Sequence, residues 1–156
     1  MNVQFVDLRK QYAPFKEEIL SGIEKVLDGM YLFLGENVQA LEKEFSEFCG
    51  VTHGIGVSDG TAALHIALRA MDIGPGDEVI TVSHTFIATA EAIVLAGAKP
   101  VFVDINSKTY NIDPEKLEKK INRNTRAIIP VHFAGQSCDM ESISRIVESA
   151  IKKYSH

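Results

Sequence analysis

The chain has 156 residues, 46% of them apolar, which suffices for one globular domain with a sizeable core. A formal net charge of −5 excludes the basic footprint of a nucleic-acid or anionic-membrane binder. The two cysteines, Cys49 and Cys138, form neither a disulfide framework nor a CxxC metal pair. No apolar run approaches the roughly 18 residues of a membrane span. The N-terminus also lacks the basic-then-apolar pattern of a signal peptide, so the expectation is a cytoplasmic protein.

Residues 3–8 are expected to be extended, and Pro14 suits the start of a helix. Phe15, Ile19, Ile23, Val26 and Leu27 then recur at helical spacing until Asp28-Gly29 stops them. Met30-Tyr31-Leu32-Phe33-Leu34-Gly35 fits either a buried loop or a short strand. From Asn37 to Phe48 a second amphipathic helix places Val38, Leu41, Phe45 and Phe48 on one face and ends at Gly50. Residues 1–50 are thus an N-terminal helical segment, and 51–151 an α/β core.

The core opens with a short apolar run bounded by glycines, a buried strand at about 54–57, and an Ala/Leu-rich helix over 62–71. Ser58-Asp59-Gly60-Thr61 lies between them. Ser58 or Asp59 can cap the helix, Gly60 suits a close backbone approach or a positive φ, and the Thr61 hydroxyl and first free N–H groups face outward. Orphan donors at the positive end of a helix dipole suit an anion, above all a phosphate. The competing explanation is an ordinary connecting turn, for which these residue types are common.

Gly74-Pro75-Gly76-Asp77 turns the chain into the β-branched strand 78–82, after which Ser83-His84-Thr85-Phe86 is a loop and 87–96 a helix. A strand follows at 100–104. Asp113-Pro114-Glu115 opens a helix to Ile121, 126–132 is another strand, and the last helix, about 140–151, carries Ile143, Ile146, Val147 and Ala150 on one face. This alternation predicts an α/β fold, a mostly parallel sheet with helices on both faces and right-handed crossovers. Ligands in such sheets bind outside the carboxyl ends of the strands. There lie the loops 58–61 and 83–86 and the segment Phe133-Ala134-Gly135-Gln136.

Phe86 comes one crossover after Thr61, so a phosphate at Gly60-Thr61 with an aromatic ring alongside suits a flat, phosphorylated ligand. Otherwise Phe86 is the first core contact of its helix. His84 and His132 are each either a base or a loop histidine. No carboxylate or second histidine stands at ligand spacing, so no metal is expected. A dinucleotide-binding oxidoreductase is the rival, because Gly54, Gly56 and Gly60 superficially follow G-x-G-x-x-G. That spacing is one residue too long, and no acid ends the second strand.

Taken together, the chain resembles the DegT/DnrJ/EryC1/StrS aminotransferases, which use pyridoxal phosphate (PLP) to aminate keto-sugars attached to nucleotides. The resemblance runs through Phe5-Val6-Asp7-Leu8, Leu34-Gly35-Glu36-Asn37-Val38, Gly56-Val57-Ser58-Asp59-Gly60-Thr61-Ala62-Ala63-Leu64 and Gly74-Pro75-Gly76-Asp77-Glu78-Val79-Ile80. It continues through Thr85-Phe86-Ile87-Ala88-Thr89, Pro100-Val101-Phe102-Val103-Asp104 and Pro130-Val131-His132-Phe133-Ala134-Gly135-Gln136. No single motif decides; the ordered set over residues 3 to about 148 is specific.

The resemblance implies that Gly60, Thr61 and Ala62 hold the PLP phosphate through backbone amides and the Thr61 hydroxyl, and that Phe86 stacks on the pyridine ring. It implies a fold-type-I large domain, a nucleotide-sugar substrate in amino-sugar or cell-surface polysaccharide biosynthesis, glutamate or glutamine as amino donor, and a homodimer. Asp59 stands where the family more often has a small residue, and its carboxylate has to turn away from a phosphate. The family continues with an aspartate that pairs with the pyridine nitrogen, a lysine that forms the Schiff base and a small C-terminal domain. This sequence ends before any of them, so the expectation is an N-terminal part with no catalytic residue of its own, inactive alone. Lys152 and Lys153 have ordinary roles at a helix C-terminus. A non-catalytic chain that binds PLP, phosphate or a partner subunit is the alternative.

Overall fold

A computed structural model describes residues 5–154. They fall into two compact units, one ending at Gly56 and the other beginning at Val57.

The first unit is helical. Helix α1 (Leu8–Tyr12) starts where Asp7 accepts the Lys10 N–H at 3.3 Å, and Pro14 lies in the single turn Ala13–Phe15 that leads into α2 (Lys16–Gly29). The expected extended segment at 3–8 is thus helical from Leu8, and its residues 3 and 4 lie outside those described. The ambiguous stretch 30–34 is a loop, since Met30 (φ 51°) and Leu34 (φ 48°) are both left-handed and break any strand. Helix α3 (Glu36–Cys49) ends on left-handed Gly50.

Residues 54–57 do not form the expected strand. Their glycines serve α3 instead. A side chain on Gly54 would place its Cβ 2.5 Å from the Glu42 carbonyl oxygen, and the Gly56 N–H donates to Glu42 Oε1 at 2.7 Å. The backbone approach that suggested a buried strand is a helix contact, and no described strand pairs with these residues. The same contacts remove the glycine pattern on which a dinucleotide reading rested.

The second unit is the α/β core. It contains α4 (Gly60–Ala70), β1 (Glu78–Val82), α5 (Ala88–Leu95), β2 (Lys99–Val103), α6 (Pro114–Lys120), β3 (Thr125–Ile128) and α7 (Met140–Tyr154). The three strands are parallel in the order β2-β1-β3, with Glu78 opposite Lys99 and Val82 opposite Val103. Strand β1 alternates between two cores. Val79 packs with Leu68, Ile73, Ala92 and Ile93 of the α4/α5 layer, and Ile80 and Val82 pack with Val103, Leu117 and Ile143 of the α6/α7 layer. Buried Thr81 satisfies its hydroxyl by donating to the Ile129 carbonyl at 2.9 Å. Strand β3 is shorter than the expected 126–132. Pro130 offers no N–H to a ladder, and the chain passes into a 3₁₀ turn at Phe133–Gly135.

Candidate functional site

The turn ahead of α4 is built from its cap outward. Asp59, in extended conformation, accepts the Ala62 N–H on Oδ1 at 2.8 Å, and Ser58 Oγ donates to its Oδ2 at 2.9 Å. Asp59, not Ser58, is therefore the cap, and first the Ala62 N–H and then the Ser58 hydroxyl hold its carboxyl below the ordinary aspartate range. The carboxylate is not turned away, as a phosphate there requires. It is drawn in because the same helix terminus that attracts a phosphate attracts any anion.

Gly60 has no positive φ, and a Cβ added to it would meet nothing within 4 Å. Its absent side chain thus leaves the outer face of the turn open. Thr61 and Ala62 are half-buried. The Gly60 amide and the Thr61 hydroxyl are donors of a kind that a phosphate takes, whereas the Ala62 amide is held by Asp59. By its chemistry the donor set is compatible with a phosphate, with the Asp59 carboxylate as the competing acceptor.

Phe86 lies in the loop between β1 and α5. The Thr89 N–H donates to its carbonyl at 3.1 Å, the Thr85 and Thr89 hydroxyls meet at 2.9 Å, and Ala88 and Thr89 are buried. The backbone is pinned while the ring is 76% exposed. That exposure argues against Phe86 as a core contact of its helix.

The 132–138 segment is tied down by comparison, though residues 132–137 are exposed. Buried Asn111 donates to the Gln136 and Ser137 carbonyls at 3.0 Å each and accepts the Phe133 N–H at 2.9 Å. His132 Nδ1 accepts the Cys138 N–H at 3.0 Å, so this histidine braces the loop. The His84 ring lies 4.3 Å from that of Phe133 and 6.0 Å from that of Tyr110, which itself adopts a left-handed φ of 60°. Sequence reasoning missed Asn111 and Tyr110. Nothing local marks them, because the partners of Asn111 lie 22 to 26 residues away. Among the described residues, no three His, Cys, Asp or Glu side chains come together as a metal site.

Residues 14–150 match the DegT/DnrJ/EryC1/StrS aminotransferase family. The chain belongs to that family. It is 48% identical over 148 residues to a pleiotropic regulatory protein of Geobacillus stearothermophilus, covering 95% of this chain and 40% of that one. It is also 48% identical over 146 residues to a UDP-N-acetyl-3-dehydro-α-D-glucosamine 3-aminotransferase of Acidithiobacillus ferrooxidans, covering 94% and 40%. Among solved structures, the Streptomyces venezuelae DesV, in complex with a ketimine intermediate, superposes with a TM-score of 0.90 at 39% identity, covering 94% of this chain and 40% of that one. A family member from Brucella abortus gives 0.88 at 38%, covering 96% and 42%. The family match and these superpositions make the chain the N-terminal part of a fold-type-I aminotransferase fold. It spans about 40% of the length of these relatives.

Proposed function

We propose that this chain supplies the phosphate-binding and ring-stacking half of the PLP site of a nucleotide-sugar aminotransferase, and that by itself it does not transaminate. The observation that carries the reading is the open turn at Gly60-Thr61, whose donors no described side chain except the Asp59 carboxylate claims. PLP, when bound, supplies the amino-group carrier and the electron sink. The chain's own residues position it. Gly60, Thr61 and Ala62 hold the phosphate, and the exposed Phe86 ring covers a face of the flat heterocycle and shields it from water.

The amino donor is glutamate or glutamine and the acceptor a nucleotide-linked keto-sugar, by analogy with relatives such as the Acidithiobacillus enzyme. The setting is the cytoplasm, and the assembled enzyme is a homodimer. No lysine of this chain stands in the Schiff-base role, because Lys152 and Lys153 end an amphipathic helix. The purified chain, given PLP, glutamate and a UDP-linked 3-keto-sugar, is expected to yield no amino sugar above the rate with PLP alone. Protein-dependent turnover would refute the claim of inactivity.

A further inference from the structure

The loop that carries Phe86 is held at two places. After Phe86, the Thr85 and Thr89 hydroxyls meet at 2.9 Å at the start of α5. Ahead of it stands His84, whose ring lies 4.3 Å from that of Phe133, with the two planes 37° apart. Tyr110 completes the group, its ring 6.0 Å from each of the other two. One ring comes from each of the loops that leave the carboxyl ends of β1, β2 and β3. Because β1 lies between its two parallel neighbours, the loops of both flank the one that carries Phe86.

Both flanking loops are built to hold their rings still. Tyr110 adopts a left-handed φ of 60°, which a bulky side chain takes only where its surroundings fix it, and its N–H donates to the Asn106 carbonyl at 2.8 Å. Ala134, directly after Phe133, is also left-handed, at φ 50°. The buried Asn111 side chain fastens the two loops to each other through Phe133, Gln136 and Ser137. His84 therefore leans on a fixed support. The Phe86 ring, 76% exposed, depends for its direction on the backbone that carries it. Two residues of chain span at most about 7 Å, so fixing His84 restricts the backbone from which the Phe86 ring projects.

We propose that His84 is a positioning residue for Phe86: packed against Phe133, it holds the β1 loop in the conformation that presents the Phe86 ring to a flat, phosphorylated heterocycle. Its imidazole serves as a packing surface, with no part as a base and no contact with the ligand. A ring that is already oriented loses less freedom when a ligand stacks on it, so the contribution is to affinity for the heterocycle and not for the phosphate. The inference rests on the cofactor reading and extends it to a residue outside both the phosphate turn and the stacking ring.

The test is calorimetric titration of the 156-residue chain and its variants with pyridoxamine phosphate, which lacks the aldehyde that lysines attack, and with inorganic phosphate. The quantity read is the preference for pyridoxamine phosphate over phosphate. His84 and Phe133 are both exposed, so truncating either leaves the two cores untouched. His84→Ala and Phe133→Ala should each lower the preference by roughly threefold or more, with the phosphate constant itself held within about twofold. His84→Phe keeps a ring against Phe133 and should restore the preference. In a double-mutant cycle, His84→Ala should cost nothing further once Phe86 is already alanine. An unchanged preference in His84→Ala or Phe133→Ala, no rescue by His84→Phe, or an equal loss in the Phe86→Ala background would overturn the inference and leave the cofactor reading intact. No preference in the parent chain, or one that Phe86→Ala leaves whole, would overturn the cofactor reading itself and the inference with it.

Discussion

Two turns of the second unit carry the same kinds of polar residue and stand in opposite states. The 132–138 loop is tied down by side chains, with Asn111 taking one N–H and giving to two carbonyls and His132 bracing Cys138. In the 58–62 turn, one exposed carboxylate holds the Ala62 amide, and the space around Gly60 is open. The difference separates a loop that maintains the fold from a turn that can exchange its partner. Asp59 is the resident anion of that helix terminus.

The contrast breaks first at Asn111. Removing its side chain by Asn111→Ala takes the partner from three backbone groups and should cost about 1–3 kcal/mol of stability, measured by urea unfolding, without changing phosphate affinity measured below the transition. If phosphate affinity fell with it, the two turns would not be independent. A smaller effect of opposite kind is expected at Asp59. Asp59→Asn removes the competing charge and should tighten inorganic phosphate binding by on the order of tenfold in calorimetry. An unchanged constant would mean that the carboxylate does not occupy the anion's place. Phe86→Ala should weaken PLP by roughly three- to tenfold while leaving inorganic phosphate untouched, since stacking acts on the ring alone. Equal losses for both ligands would deny the ring contact.

The smallest effect concerns acid. Asp59, Glu78, Asp104 and Asp139 are all held below their ordinary range, chiefly by hydrogen bonds from Ala62, Asn122, Lys116 and Ser142 respectively. A carboxyl with a lowered folded-state pKa contributes stability above its unfolded value and loses it as pH falls through the folded one. Stability should therefore decline below about pH 4, and Asp59→Asn should shallow that decline slightly in a thermal scan against pH.

Much of the fold was legible because it is local. The β-branched 78–82 run, the Gly74-Pro75-Gly76 turn and the Asp113-Pro114 helix start all appear as the pattern predicts, with Asp113 accepting the Glu115 N–H at 3.0 Å. What failed depended on distant partners. The glycines at 54 and 56 answer to Glu42, and the short β3 answers to Pro130 and the loop that Asn111 holds. At the candidate site, cap chemistry made the helix start at Gly60 readable. The seating of the Asp59 carboxylate on the Ala62 amide was not, because sequence allowed either Ser58 or Asp59 to cap. Similarly, the amphipathic stripes of the first unit were plain in the sequence, yet among its described residues only Ser46 is buried.

The central claim is that this chain holds PLP by its phosphate and ring and forms no covalent bond to it. Calorimetric titration of the chain with PLP, repeated in the presence of inorganic phosphate and followed by borohydride reduction and mass measurement, tests it most directly. The account predicts saturable binding that phosphate competes away and a protein mass unchanged after reduction. Binding indifferent to phosphate, or a lysine left carrying the reduced cofactor, would contradict it.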